Sequence, residues 1–197
     1  MDRRQALKGL GLSVGYVIAT PAIVSMLHSC KTDAANWKPI FLTIDEGIVV
    51  RNLVDLMLPK TEATPGALDV NVPEFLDLYA SKVYTEEKQA HLKVGLKGIL
   101  TALKVDDNNV SSLKTEDYDA LLAKYLKANK EEVAAFRNNE ADLVVLETLT
   151  ALRSASIWAY KNTEEIGENV LAYDPIPGRQ QGCISVEEAT GGKAWSL

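Results

Sequence analysis

The sequence predicts an all-α protein, a small helical bundle followed by an irregular C-terminal tail. Apolar residues recur every three to four positions through much of residues 43–170, as they do on the buried face of a helix. Residue types that cap helices precede several of these stretches. Few stretches alternate with the period of two that is typical of strands. We therefore expect one helical domain of ordinary size.

A capping box and an apolar face predict the first helix. Thr43 stands three positions before Glu46, so each side chain can accept a hydrogen bond from the other residue's backbone N–H. The helix is expected over about residues 44–57, and Pro59 stops it. Its apolar face consists of Ile48, Val49, Leu53, Leu56 and Met57.

A proline-punctuated loop is predicted over residues 59–73. Pro65-Gly66 has the composition of a tight turn. Pro73 suits the first position of the next helix, where a missing N–H costs nothing. The apolar residues at helical spacing that follow are Phe75, Leu76, Leu78, Tyr79 and Val83.

Three more helices complete the predicted bundle. Thr85 caps a third helix that runs to about Lys104. A fourth helix starts after Thr115. The fifth and longest starts at about Lys130 or Glu140, two alternatives that the pattern leaves open.

Aromatic residues mark the edges of these helices. The fifth helix is expected to end at about Tyr160, and both Trp158 and Tyr160 suit the core and an interface equally. The remaining tyrosines at helical positions are expected at the edge of the core; they are Tyr79, Tyr84, Tyr118 and Tyr125.

The last segment, residues 171–197, has a different character. Prolines and glycines interrupt Tyr173-Asp174-Pro175-Ile176-Pro177-Gly178-Arg179, so the segment cannot form a regular helix. Long irregular segments in compact domains are usually functional or disordered. Several residues are too apolar for a solvated tail and need either the bundle or another protein to lie against; they are Tyr173, Ile176, Ile184, Val186 and Trp195.

The N-terminal segment has the features of a twin-arginine export signal. Arg3 and Arg4 are followed by Leu7 and Lys8, and residues 9–30 carry no charged side chain. Glycines and a proline dilute this apolar run, which suits twin-arginine export better than the general route. The run ends at Cys30 in a lipoprotein-like cleavage sequence. An uncleaved membrane helix is the alternative, and the same glycines disfavour it.

Composition excludes several functions. The net charge of −6 argues against nucleic-acid binding. Beyond the export signal the chain has one histidine, His91, which we expect to be solvated, and no cysteine cluster or haem-attachment motif. A histidine-based metal site or hydrolytic triad is therefore not expected.

The two cysteines allow different roles. A lipidated Cys30 would anchor the chain to a membrane and would leave Cys183 unpaired. The favoured interpretation of Cys183 is a buried thiol, and the alternative is a position at a partner interface near a redox centre. A disulfide between the two requires an unlipidated Cys30. Asp174 and Arg179 are expected to pair locally or to reach a partner.

Two stretches resemble the gluconate 2-dehydrogenase subunit 3 family. The first is Leu58-Pro59-Lys60-Thr61 with Thr64-Pro65-Gly66-Ala67 and Val72. The second is Tyr173-Asp174-Pro175-Ile176-Pro177-Gly178-Arg179 with Gly182-Cys183. The twin-arginine leader is also typical of that family.

The resemblance implies a non-catalytic small subunit of a periplasmic, membrane-associated dehydrogenase that oxidises sugars or polyols. FAD would be held by a large subunit of the glucose–methanol–choline oxidoreductase type, and a c-type cytochrome often accepts the electrons. The small subunit would hold no cofactor, metal or catalytic residue, and would provide export, folding support and membrane attachment. The chain's lack of a G-x-G-x-x-G fingerprint agrees with this.

Four segments are therefore predicted: an export signal (1–29), a tether (30–42), a helical bundle (43–170) and a partner-docking tail (171–197). The expected partner contacts are Pro65, Gly66, Tyr173, Asp174, Pro175, Pro177, Gly178, Arg179, Gly182, Cys183 and Trp195. The main alternative is an autonomous, lipid-anchored helical protein that binds a ligand or acts as a scaffold. An independent enzyme is disfavoured, because no nucleophile–base pair, metal cluster or cofactor fingerprint is present.

Overall fold

The computed structural model describes residues 37–105, 110–176, 178 and 182–196. Within these ranges the chain is all-α, as the sequence predicts. Its six longer helices are α1 (Ile44–Met57), α2 (Val72–Lys82), α3 (Glu86–Ala102), α4 (Thr115–Leu126), α5 (Lys130–Arg137) and α6 (Glu140–Lys161). A 3₁₀ turn (Val110–Ser112), a π-helix (Glu165–Val170) and a short helix α7 (Val186–Thr190) complete the described elements.

The predicted local signals for the first two helices are present. Thr43 caps α1, and its capping box with Glu46 is complete. Pro73 occupies the second position of α2 rather than the first, because Val72 already adopts helical geometry there. The irregular tail contains α7, whose cap is Ser185.

Two asparagine caps decide where the longest helix begins. The Asn129 side chain accepts hydrogen bonds from the first turn of α5, and that of Asn139 does the same for α6. Residues 130–137 and 140–161 are therefore separate helices, and the longest one starts at Glu140.

Helix α6 is the axis of the bundle, because it packs against each of α1 to α5. Its most extensive contact is with α3. Leu149 and Val145 of α6 and Leu96 and Ile99 of α3 are all buried. The other helices thus pack around a common core that contains α6.

Gly95 allows α3 and α6 to approach closely. A Cβ atom at Gly95 would lie 2.1 Å from Oγ1 of Thr148 and 2.8 Å from its Cγ2. That hydroxyl donates to the carbonyl of Val144 at 2.7 Å, which holds the Thr148 side chain in this position. The contact therefore requires a glycine.

Replacing Gly95 by alanine tests this requirement. Gly95→Ala is expected to lower the free energy of unfolding by about 1–3 kcal/mol, because the added methyl overpacks the contact. The matched control is Gly98→Ala in the same helix, where the nearest atom to a Cβ is 3.3 Å away. That variant is expected to be neutral or up to about 1 kcal/mol more stable through helix propensity. Urea unfolding of both variants measures the difference, and equal stabilities would contradict the packing argument.

A polar contact joins α4 to α6. The hydroxyl of Tyr125 donates to Asp142 at 2.6 Å, and Lys124 Nζ lies 3.1 Å from the same carboxylate. The hydrogen bond from Tyr125, and next the one from Lys124, hold the pKa of Asp142 below its ordinary value. Burial raises the pKa of Tyr125, and the neighbouring Asp142 raises it further. Tyr125 therefore remains a hydrogen-bond donor at neutral pH.

This contact predicts a pH-dependent contribution to stability. Because the pKa of Asp142 is lower in the folded chain, its contribution is complete above about pH 4 and is lost as the pH falls through the folded pKa. Asp142→Asn should thus lower the free energy of unfolding by about 1 kcal/mol or less at pH 7, since the pair is partly exposed. In acid it should lower it by progressively less. The exposed Asp119→Asn in α4 is the control. If the difference in unfolding free energy between wild type and Asp142→Asn grew as the pH fell, the proposed contribution of the Asp142 carboxylate would be contradicted.

Candidate functional site

The predicted export and lipidation residues lie outside the described part of the chain. This applies to Arg3, Arg4, Leu7, Lys8 and Cys30. In the tail, Pro177 and Arg179 also lie outside it. Among the helices that are described, none has both the length and the apolar character to cross a bilayer.

Asp77 anchors the chain segment that leads into the bundle. Its carboxylate is buried and accepts hydrogen bonds from the backbone N–H groups of Ile40, Phe41 and Leu42, at 2.6, 3.0 and 2.8 Å. A buried carboxylate needs such donors, because an unpaired buried charge is strongly unfavourable. The carboxylate on α2 therefore fixes the direction in which the segment approaches α1.

Lys93 reinforces this anchor from α3. Its ammonium group pairs with the carboxylate of Glu46 and lies 4.6 Å from the ring centroid of Phe41. Glu46 in turn accepts from the N–H of Thr43 in the capping box. Residues 40–43 are thus held by α1, α2 and α3 together.

Replacing Asp77 by asparagine should release this segment. Asp77→Asn removes the charge and leaves one carbonyl oxygen where three N–H groups converge, so we expect a loss of about 2–4 kcal/mol in stability. Hydrogen exchange at the amides of Ile40 to Leu42 should accelerate more than in the core of α6. The control is Asp55→Asn at an exposed position of α1. Unchanged protection of these amides in Asp77→Asn would contradict the anchoring role.

Burial of Asp77 turns the apolar face of α2 outward. The buried positions of this helix are Val72, Pro73, Asp77 and Ala80. Of the apolar stripe that the sequence shows, Phe75, Leu78 and Val83 are exposed. Exposed apolar helix faces mark interaction sites more often than chance would give.

Aromatic rings extend this exposed face onto α6. Trp158 of α6 contacts Phe75 and Tyr79, with ring centroids 5.7 and 5.4 Å apart, and Tyr79 meets Tyr84 edge-on at 5.6 Å. Phe75 is 41% exposed and Trp158 is 46% exposed. We call Phe75, Leu78, Tyr79, Val83 and Trp158 the α2 surface. Its aromatic content is typical of the centres of protein interfaces.

The other aromatic predictions have mixed outcomes. Tyr79 and Tyr84 are half-buried, as expected at the edge of the core, whereas Tyr118 and Tyr125 are buried within it. Tyr160 is tied to the loop, because its hydroxyl donates to the carbonyl of Pro65 at 2.6 Å.

The loop between α1 and α2 is internally braced. The N–H of Gly66 donates to Asp69 at 2.9 Å and is the main cause of the lowered pKa of Asp69. A Cβ at Gly66 would lie 2.6 Å from the backbone nitrogen of Lys60, so the turn requires glycine. Gly66 is buried, and Pro65 is half-buried. Residues 59–63, Asp69 and Asn71 of this loop are exposed and open to a partner.

The tail closes on itself. The N–H of Ala172 donates to the carbonyl of Ala194 at 2.9 Å, and the N–H of Ser196 donates to the carbonyl of Ala172 at 3.0 Å. Trp195 faces Ala172 in an isolated bridge and is 47% exposed. Tyr173, Asp174, Pro175, Gly178 and Gly182 are also exposed, and nothing lies within 4 Å of a Cβ built on either glycine.

Most apolar side chains of the tail face solvent. Ile176 is 84% exposed and Val186 is 66% exposed, and Ile184 is exposed as well. The described bundle thus does not cover these residues. That they lie against another protein stays a prediction.

The favoured interpretation of Cys183 is wrong. Cys183 is a free, exposed thiol rather than a buried one. It adopts a left-handed backbone conformation (φ 55°). The remaining interpretation, a position at a partner interface, stays a prediction.

A groove of about 650 Å³ lies between α2, α3 and α6. The small side chains of Ala80, Ala151 and Ala155 leave this space open, and Tyr84 links its rim to the α2 surface. His91 and Lys88 are exposed at the same rim, which agrees with the expected solvated histidine. The groove is mainly apolar and can accept an apolar segment of a ligand or partner.

The described residues contain no group of three or more histidine, cysteine or acidic side chains positioned to hold a metal ion. The pKa shifts within them arise from hydrogen bonds, burial and charged neighbours at helix contacts, turns and caps.

The sequence matches the model of the gluconate 2-dehydrogenase subunit 3 family over residues 44–178. The chain belongs to this family. The matched range contains all six helices of the bundle, the loop with Pro65 and Gly66, and the tail as far as Gly178; Gly182, Cys183 and Trp195 lie beyond it. No curated protein and no solved structure matches the chain.

Sequence reasoning missed Asp77 and the groove. A carboxylate between Leu76 and Leu78 in an amphipathic helix is a visible signal, because it occupies the face opposite the apolar stripe. That this face is the buried one depends on the N–H groups of residues 40–42, which no local pattern reveals.

Proposed function

We propose that this chain is the non-catalytic small subunit of an exported FAD-dependent sugar or polyol dehydrogenase. It binds the flavoprotein subunit, which carries the FAD, and supports its folding and its export through the twin-arginine route. Cys30 then attaches the complex to the membrane on the periplasmic side. Family membership supports the accessory role, and the leader sequence motivates export and attachment.

The outward apolar face of α2 is the observation that carries this proposal. An isolated soluble domain would gain stability by burying Phe75, Leu78 and Val83, whereas here the buried position goes to Asp77. The exposed tail residues, Ile176 and Val186, add a second apolar region. A partner that covers both removes this surface from water, which is the main driving force of association.

The internal bracing of the loop and the tail suits a docking role. The hydrogen bond between Tyr160 and Pro65 and the closure between Ala172 and residues 194–196 hold these segments before a partner arrives. Preorganised segments lose less conformational entropy on binding.

The apolar groove supports the second candidate, an autonomous binding protein. A groove of about 650 Å³ has the size of a small-molecule site. In that case the purified chain would be stable alone and would bind an apolar ligand without any flavoprotein. The accessory role has the added support of family membership.

Charged substitutions in the tail test the proposal. Ile176→Asp and Val186→Asp should each reduce the amount of flavoprotein that co-purifies with the tagged chain by about tenfold or more, because a desolvated carboxylate opposes binding. Both positions are exposed, so the stability of the chain alone should change by less than about 0.5 kcal/mol. Flavin absorption per mole of tagged chain measures the effect.

Two matched controls separate docking from a general effect of charge. Ile44→Asp and Val94→Asp place the same new charge on exposed apolar residues of α1 and α3. They should leave the flavin content unchanged. Equal losses in all four variants, or no loss in the tail variants, would contradict docking through the tail.

A further inference from the structure

The described residues contain three arginines, and one of them forms an ion pair while the other two do not. Arg51 forms an ion pair with Glu74 at 2.7 Å. Arg137 and Arg153 have no ion pair or hydrogen bond from their side chains within the described residues. Both guanidinium groups are exposed, so they are available to an anionic partner.

Both unpaired arginines line one groove, of about 520 Å³, between the end of α4, α5 and α6. We call it the arginine groove. Its apolar lining includes Leu126, Val133, Leu143 and Leu146, which are all only half-buried. Arg137 lies in the last turn of α5, where a cation is favourable. Arg153 lies within α6 and has no such role.

The charges of the groove are mixed. Glu147 also lines it and has no ion pair within the described residues. Glu147 and Arg153 are six residues apart on α6, or roughly 9 Å along the axis. A complementary surface must therefore present carboxylates opposite the arginines and a donor or cation opposite Glu147. A bilayer presents phosphates and head-group donors at no fixed spacing, whereas a folded partner can hold a carboxylate and a donor at this separation.

The shape of the groove favours a helical occupant. Residues of α6 between 143 and 154 line the groove over about three turns, and Val133 and Arg137 of α5 line it as well. Along α6, two leucines and an alanine are mixed with polar side chains, so this lining suits an amphipathic helix, as in other helix-in-groove complexes. Arginine pairs with carboxylates in a fixed, two-pronged geometry, which sets the register of such a helix.

We propose that the arginine groove binds an amphipathic helix of the flavoprotein subunit whose apolar face is flanked by carboxylates. The inference rests on the proposed accessory function and adds a second contact to it, on the side of α6 that faces α5. Arg137 and Arg153 recognise the carboxylates of this helix, and the leucines take its apolar side chains.

Charge reversal tests the proposal in the intact complex. Arg137→Glu and Arg153→Glu should each weaken binding of the purified flavoprotein subunit to this chain by about tenfold or more, and the wild-type Kd should rise steeply with salt. Lys97→Glu, at an exposed position of α3, makes the same change in charge and should leave the Kd within about twofold. Arg153→Lys should lie between wild type and Arg153→Glu, because a lysine keeps the charge without the two-pronged geometry.

The outcomes separate this inference from the proposed function. If wild type binds the flavoprotein and the arginine variants bind equally well, the inference is overturned while the accessory role stands. If wild type binds no flavoprotein, the accessory role itself fails. A third arm uses vesicles that contain phosphatidylglycerol: loss of vesicle binding in the arginine variants, with flavoprotein binding intact, would overturn the inference in favour of a membrane-facing role.

Discussion

The close contact between α3 and α6 at Gly95 is the constraint on which the other contacts depend. Since α6 touches each of α1 to α5, the distance between it and α3 determines how the remaining helices fill the core. A hydroxyl and a methyl group of Thr148 occupy the space that a larger residue at position 95 would need. Thr148 of α6 and Leu96 of α3 also line the apolar groove between α2, α3 and α6. The close contact of these two helices therefore shapes both the core and the groove.

Asp77 links this core to the proposed function. By binding the N–H groups of residues 40–42, it directs one face of α2 inward and thereby presents Phe75, Leu78 and Val83 to solvent. The segment that Asp77 holds is also the one that would connect the bundle to a lipidated Cys30.

The sequence predicts the helices well because their signals are local. The predicted capping box of Thr43 and Glu46 and the predicted cap at Thr85 lie within a few residues of the backbone groups that they satisfy. The caps at Asn129 and Asn139 were not predicted, and the start of the longest helix stayed open between two positions. The orientation of α2 is not local, since it depends on a contact between Asp77 and a segment more than thirty residues away. The exposure of Cys183 was likewise not predicted from its sequence neighbours. Whether Arg137 and Arg153 form ion pairs likewise depends on how α5 and α6 pack, which the sequence pattern does not show.

We propose that the chain functions as part of a flavin dehydrogenase complex. The most direct measurement is to isolate the tagged chain from its native membranes and to determine the mass and absorption spectrum of what is obtained. We expect a complex with a larger protein that shows flavin absorption, which bleaches when the correct sugar or polyol is added. A colourless chain that is isolated alone would contradict it and would favour the autonomous lipoprotein.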